Sequence, residues 1–167
     1  MTDAPLQPSL ASALAVGDPD TVDTPALPAF AAALAILENT PGMLKALVAG
    51  VPTEILSHAP EGQWSVMTVL AHLFLNDPVT FARLKSITDE DQPALAAVDS
   101  EAMLASSPAR TYTVPTLLYR INFGRAKLIA YLRSLTPTQL ERTGEHHRTG
   151  TISSIELLHD LDVRHLP

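Results

Sequence analysis

Aliphatic residues recur along this chain at intervals of three, four and seven, and no segment alternates apolar with polar as a half-buried strand does. Phe30, Leu34, Leu37, Leu44 and Val48 mark a first helix over about 27–49. Pro28 suits its first turn, Pro41 is expected to kink it, and Gly50 to end it. Ser65 holds the N-cap position of a second helix over about 66–87. Its apolar side is Val66, Val69, Leu70, Leu73 and Leu84, with a bend expected before Pro78. A shorter helix is expected over about 93–104. Thr113 and Pro115 open another over about 114–135, striped by Leu117, Ile121, Gly124, Leu128 and Leu132. Thr136, Pro137 and Gln139 have capping-box spacing for one helical turn, closed by Gly144. Thr149 to Ser153 reads as a polar turn, and Ser153 or Ser154 caps a last helix. Four amphipathic helices joined by modest loops can bury their stripes only against one another. The fold class is therefore all-α, a four-helix bundle.

Length and charge agree with this. The 167 residues amount to one domain, and with 46% hydrophobic but only 5% aromatic residues its core must be aliphatic. Residues 1–25 stand apart: Pro5, Pro8, Pro19 and Pro25, with Asp3, Asp18, Asp20 and Asp23, and no Lys or Arg. They read as an N-terminal extension, leaving 26–167 as the bundle domain. A net charge of -7 repels phosphate backbones and anionic lipid heads, which argues against nucleic-acid and membrane-surface partners. The Ala29–Leu37 stretch is far too short to span a bilayer. The first basic residue is Lys45, so no positively charged leader is read, and a cytoplasmic setting is expected. The absence of cysteine excludes a disulfide framework, a thiolate zinc site and a cysteine nucleophile.

Histidine and carboxylate are then the remaining strong metal ligands. His72 sits mid-helix between Val69 and Leu73, where so aliphatic a chain would ordinarily place leucine. Three readings of it stand open: a core histidine satisfied by a hydrogen bond, a metal ligand or general base, and a surface histidine. His165 lies four residues past Leu161 and shares its helix face. His159 is six residues before His165, which turns it about 120° away. Asp162 is three residues from each and can orient either. His146 and His147 read as solvated loop residues. Arg125 follows Gly124 on the apolar side of its helix, unlike Arg120, Lys127 and Arg133, which read as a solvated face. No G-x-S-x-G elbow, P-loop or G-x-G-x-x-G is present.

The run Glu61-Gly62-Gln63-Trp64-Ser65, followed by Val69-Leu70-Ala71-His72-Leu73, resembles the DinB/YfiT-like superfamily of small metal-binding bundles. Asp77, Phe81 with Arg83-Leu84, and Asp91-Gln92-Pro93 follow in the same order. So does His146-His147-Arg148-Thr149-Gly150, followed by Glu156-Leu157-Leu158. The resemblance implies an up-down-down-up bundle, often a homodimer, that holds one divalent metal, nickel or zinc, by three histidines. The first matches His72. The other two belong to a His-Asp-x-x-His pattern on the last helix. Also implied is chemistry on a small-molecule thiol of the bacillithiol or mycothiol type. There the metal lowers the thiol's pKa so that the thiolate attacks an electrophilic substrate.

The last helix departs from that pattern. With His165 as third ligand, the second position is Leu161, and Asp162 matches the aspartate. With Gly150 and Glu156-Leu157-Leu158 setting the register, Arg164 takes the second position and His165 the aspartate's. With His165 as second ligand, the third position lies past Pro167. Each register keeps at most two of the three histidines, so the metal shell needs another donor. Two expectations follow. One is a metal-dependent thiol transferase or hydrolase with His72, His165 and Asp162 at the metal and Arg125 anchoring an anionic substrate group. The other is a catalytically inactive ligand-binding or interaction domain with an incomplete metal site.

Overall fold

The computed structural model describes residues 28–163, with side chains through Leu158. The four long helices are α1 (Pro28–Val48), α3 (Val66–Asp89), α5 (Val114–Arg133) and α7 (Ser154–Val163). Short pieces join them: α2 (Thr53–Ser57), α4 (Ser100–Ser106), a 3-10 turn (Pro108–Thr111) and the single turn α6 (Pro137–Leu140). α3, α5 and α7 open where their local chemistry says they should. The Ser65 hydroxyl accepts from the Thr68 amide at 3.1 Å, and Thr113 caps α5 with Pro115 in its first turn. Thr136 and Gln139 close a complete capping box. Ser153 and Glu156 form another at the start of α7: the Ser153 amide donates to Glu156 Oε2 at 2.8 Å, and the Glu156 amide to Ser153 Oγ at 3.2 Å. Gly50 follows α1 with φ +74°, a conformation that favours glycine. Both α1 and α3 continue through their internal prolines, Pro41 and Pro78.

Two apolar cores show how the helices run. At one end Phe30, Ala33 and Leu37 of α1 meet Leu84 and Ile87 of α3, Leu128 and Leu132 of α5, and Leu157 and Leu158 of α7. At the other end Val48 meets Leu70 and Ala71, with Leu117 and Ile121. The start of α1 thus lies beside the ends of α3 and α5, so α1 runs opposite to a parallel α3–α5 pair. α7 starts at the same end as α1, beside Ile87, and packs along α1 and α3. The result is the up-down-down-up order.

A small sheet corrects the expectation that no strand forms. β1 (Ala94–Leu95) pairs in parallel with β2 (Thr143–His146), which pairs antiparallel with β3 (Gly150–Ser153). The segment expected to be helical over 93–104 is therefore strand first, and α4 begins only after the Asp99 cap. Gly144 belongs to β2 and does not close α6. A Cβ there would lie 3.0 Å from both Ile87 Cγ1 and the Pro93 carbonyl, so glycine lets β2 lie flat on the end of α3. Strands of two and four residues are too short to show a period of two, which is why the pattern missed them.

On α3, Leu70 and Leu84 are buried as expected and are joined by Ala71 and Ile87, whereas Val69 and Leu73 are half-buried and Val66 is exposed.

Candidate functional site

Between the two cores, every fully buried position of α3 from His72 to Thr80 is polar, and Leu73 and Leu75 are only half-buried. His72, Asn76, Asp77 and Thr80 are all buried there, His72 with 2% of its surface exposed. Across from them α5 contributes Arg125, 1% exposed, between Ile121 of one core and Leu128 of the other. A polar layer thus divides the apolar interior at mid-height.

His72 and Asn76 are one turn apart, so their side chains meet on the same helix face. Asn76 Nδ2 donates to His72 Nε2 at 2.7 Å, which leaves the ring proton on Nδ1. The Trp64 ring meets the imidazole edge-on, with centroids 4.9 Å apart and planes at 62°. The Ser65 cap, which starts α3 one residue later, places Trp64 there. The imidazole is therefore held in one orientation by an amide on one side and an indole on the other.

Asp77 faces α5, and Arg125 Nε lies 3.0 Å from its Oδ1. Burying either charge alone would be strongly destabilising; burying them together is tolerable because each meets the other. Gly124 permits the approach. A Cβ at that position would stand 3.0 Å from Asp77 Oδ2, so the carboxylate occupies space that any other residue would fill. Arg125, expected to anchor an anionic substrate, is thus already engaged by a carboxylate of its own chain.

His146, expected in a solvated loop, is instead buried in β2, and its Nδ1 lies 3.1 Å from Thr149 Oγ1. His147 is exposed in the hairpin turn, as expected. Asp162 lies on the α7 backbone but beyond the last described side chain, and His165 lies outside the described residues. Among the described residues, no three His, Asp or Glu side chains converge on one point. Of the expected ligands, the described residues include His72, an imidazole in the interior and of the right donor type, whose coordination through Nε2 requires the Asn76 amide to turn away. Sequence reasoning singled out His72 and Arg125, named Asp77 only within the family resemblance, and paired neither with its partner. The signal for Asn76 and Asp77 was present, as two adjacent polar residues interrupting the stripe between Leu73 and Leu84.

The class of protein the structure defines is an up-down-down-up four-helix bundle with a histidine buried in a polar layer between two apolar cores. This chain belongs to the DinB superfamily, whose profile matches residues 36–159. It is 29% identical over 120 residues to a protein of Oceanobacillus iheyensis named a "putative metal-dependent hydrolase", covering 70% of this chain and 68% of that one. Its fold matches YfiT from Bacillus subtilis, described as a probable metal-dependent hydrolase with an unusual four-helix bundle topology. That match has a TM-score of 0.70 at 25% identity, over 77% of this chain and 74% of YfiT.

Proposed function

We propose that this protein is a metal-dependent enzyme of the hydrolase or thiol-transferase type, with His72 as its interior metal-ligating histidine. The observation that carries the reading is the buried imidazole itself. The cost of burying an imidazole to 2% exposure is met at Nε2 by Asn76 here, and a metal ion would take that place when bound. The metal-dependent relatives support the same reading. His165 and Asp162 are the further donors proposed for nickel or zinc. When bound, the ion would lower the pKa of a coordinated water or small-molecule thiol such as bacillithiol. The chain's own residues have separate tasks. Asn76 holds the imidazole through Nε2 until the ion takes that place, Trp64 shields its edge, and the Asp77–Arg125 pair keeps α3 and α5 in register beside it. In this reading Arg125 is a positioning residue, its charge met by Asp77. A homodimer and a cytoplasmic setting belong to the same proposal; among the described residues, no helix is long and apolar enough to cross a membrane.

Metal analysis tests it. Untagged protein is expected to carry near-stoichiometric nickel or zinc, and His72→Ala to abolish it. If both proteins are equally metal-free, the reading fails. Turnover of a bacillithiol conjugate that depends on added metal would support the thiol-transferase form. A second reading, a catalytically inactive ligand-binding domain, is favoured by one observation: Asn76 already occupies the Nε2 position of His72.

A further inference from the structure

On the outer side of α3 and α5 lies an open groove of about 850 Å³. Phe74 and Phe81 of α3 and Tyr119 and Phe123 of α5 form its walls. Phe81 is nine residues past His72, roughly two and a half turns, so the groove opens on the opposite face of α3 from His72. Tyr119 and Phe123 are 70% and 55% exposed, with their rings stacked at 6.5 Å. Aromatic surface of this kind left in water marks a binding face.

Charge selects the occupant. Two cations line the groove, Arg120 and Lys127, two helical turns apart on α5. The Arg120 guanidinium lies 4.8 Å from the Tyr112 ring centre and 5.5 Å from that of Phe74; Lys127 Nζ lies 5.2 Å from the Phe123 ring centre. Among the described residues, neither forms an ion pair with a carboxylate. Asp77 is the one carboxylate among the described lining residues, and Arg125 already meets it. The groove is thus a positive, aromatic-walled channel on a chain of net charge -7. A second copy docked face to face would bring four cations together with no acid to receive them. An anion with an apolar body satisfies both features at once, and the volume falls within the range of drug-sized ligand sites, about 300–1,000 Å³.

We infer that the α3–α5 groove binds a free small organic anion, an aryl or alkyl carboxylate or sulfonate. Its ring or chain lies between Phe81 and Phe123, and its charge lies toward Arg120 or Lys127. The groove touches the polar layer only at Asp77, whose charge Arg125 meets, and stands independently of the metal reading.

Fluorescence titration of the full chain tests it, with 8-anilinonaphthalene-1-sulfonate as the anionic probe and N-phenyl-1-naphthylamine as its neutral counterpart. Saturable binding of one sulfonate per chain is expected. Arg120→Ala/Lys127→Ala should weaken sulfonate binding about tenfold, the sum of two exposed charge contacts, and leave the neutral amine unchanged. Phe123→Ala should weaken both probes. Circular dichroism confirms that each variant remains folded, since all three positions are exposed. The inference is overturned if sulfonate binding does not saturate, or if the double variant weakens both probes equally or neither. It is also overturned if sedimentation shows a dimer that Phe123→Ala dissociates and only the dissociated form binds the sulfonate, because a second copy is then the occupant.

Discussion

Replacing Gly124 with alanine opposes a local preference to a tertiary one, and the sign of the result reports on the buried ion pair. In a helix interior alanine is favoured over glycine by about 0.8–1.0 kcal/mol. Against this, the new Cβ would stand 3.0 Å from Asp77 Oδ2, and that carboxylate cannot simply swing away because Arg125 Nε holds its other oxygen at 3.0 Å. Overpacking of this kind costs about 1–3 kcal/mol. The expected net effect is destabilisation by about 1 kcal/mol. In an Asp77→Ala/Arg125→Met background the carboxylate is gone. The nearest remaining Asp77 atom is Cβ at 3.4 Å, an ordinary contact. Removing both partners together avoids leaving a lone buried charge. There Gly124→Ala should stabilise by about 1 kcal/mol, a coupling of about 2 kcal/mol and within the range for residues in contact. Urea unfolding followed by Trp64 fluorescence and far-ultraviolet circular dichroism measures both differences. For a chain of this size each kcal/mol also moves the melting temperature by about 2–4 °C. If Gly124→Ala has the same sign and size in both backgrounds, the carboxylate does not press on α5, and the account of the polar layer is wrong.

Two further outcomes are expected. The Ser153 amide and hydroxyl, both donating to Glu156, hold its carboxyl below the usual glutamate range. A depressed pKa means the folded state binds the proton less readily than the unfolded one. The contribution is therefore present at neutral pH and is lost as the pH falls through the acid range. Glu156→Ala should lower stability by about 0.3–1.5 kcal/mol at pH 7, and the gap to the native protein should narrow in acid, as read from melting temperatures across pH. The Tyr131 hydroxyl lies 2.6 Å from Thr88 Oγ1, joining α5 to α3 below the polar layer. Tyr131→Phe should cost about 0.5–1.5 kcal/mol in urea unfolding with no change in the slope of the transition.

What this sequence determined by itself is whatever a few neighbouring residues decide. Ser65, Thr113, Thr136 and Ser153 cap their helices through amides three residues away, so their roles follow from local spacing alone. The stripes of α1 and α5 likewise placed Phe30, Leu37, Leu117, Ile121, Leu128 and Leu132 in the core, because a 3.6-residue period leaves them on one side of a helix wherever it packs. Four such helices then had to assemble as a bundle. Only the tertiary structure decided what depends on which helix faces which. The β1–β2 pairing joins Ala94 to Glu145 across most of the bundle's second half, with no local period to announce it. His146 became interior rather than solvated because β2 folds over the end of α3. His72 was legible as an anomaly in a stripe, but Asn76 on its ring and the meeting of Asp77 with Arg125 were not. A charge can enter an apolar interior only where another helix brings its counter-charge, and that is a property of the packing, not of the residues taken in order.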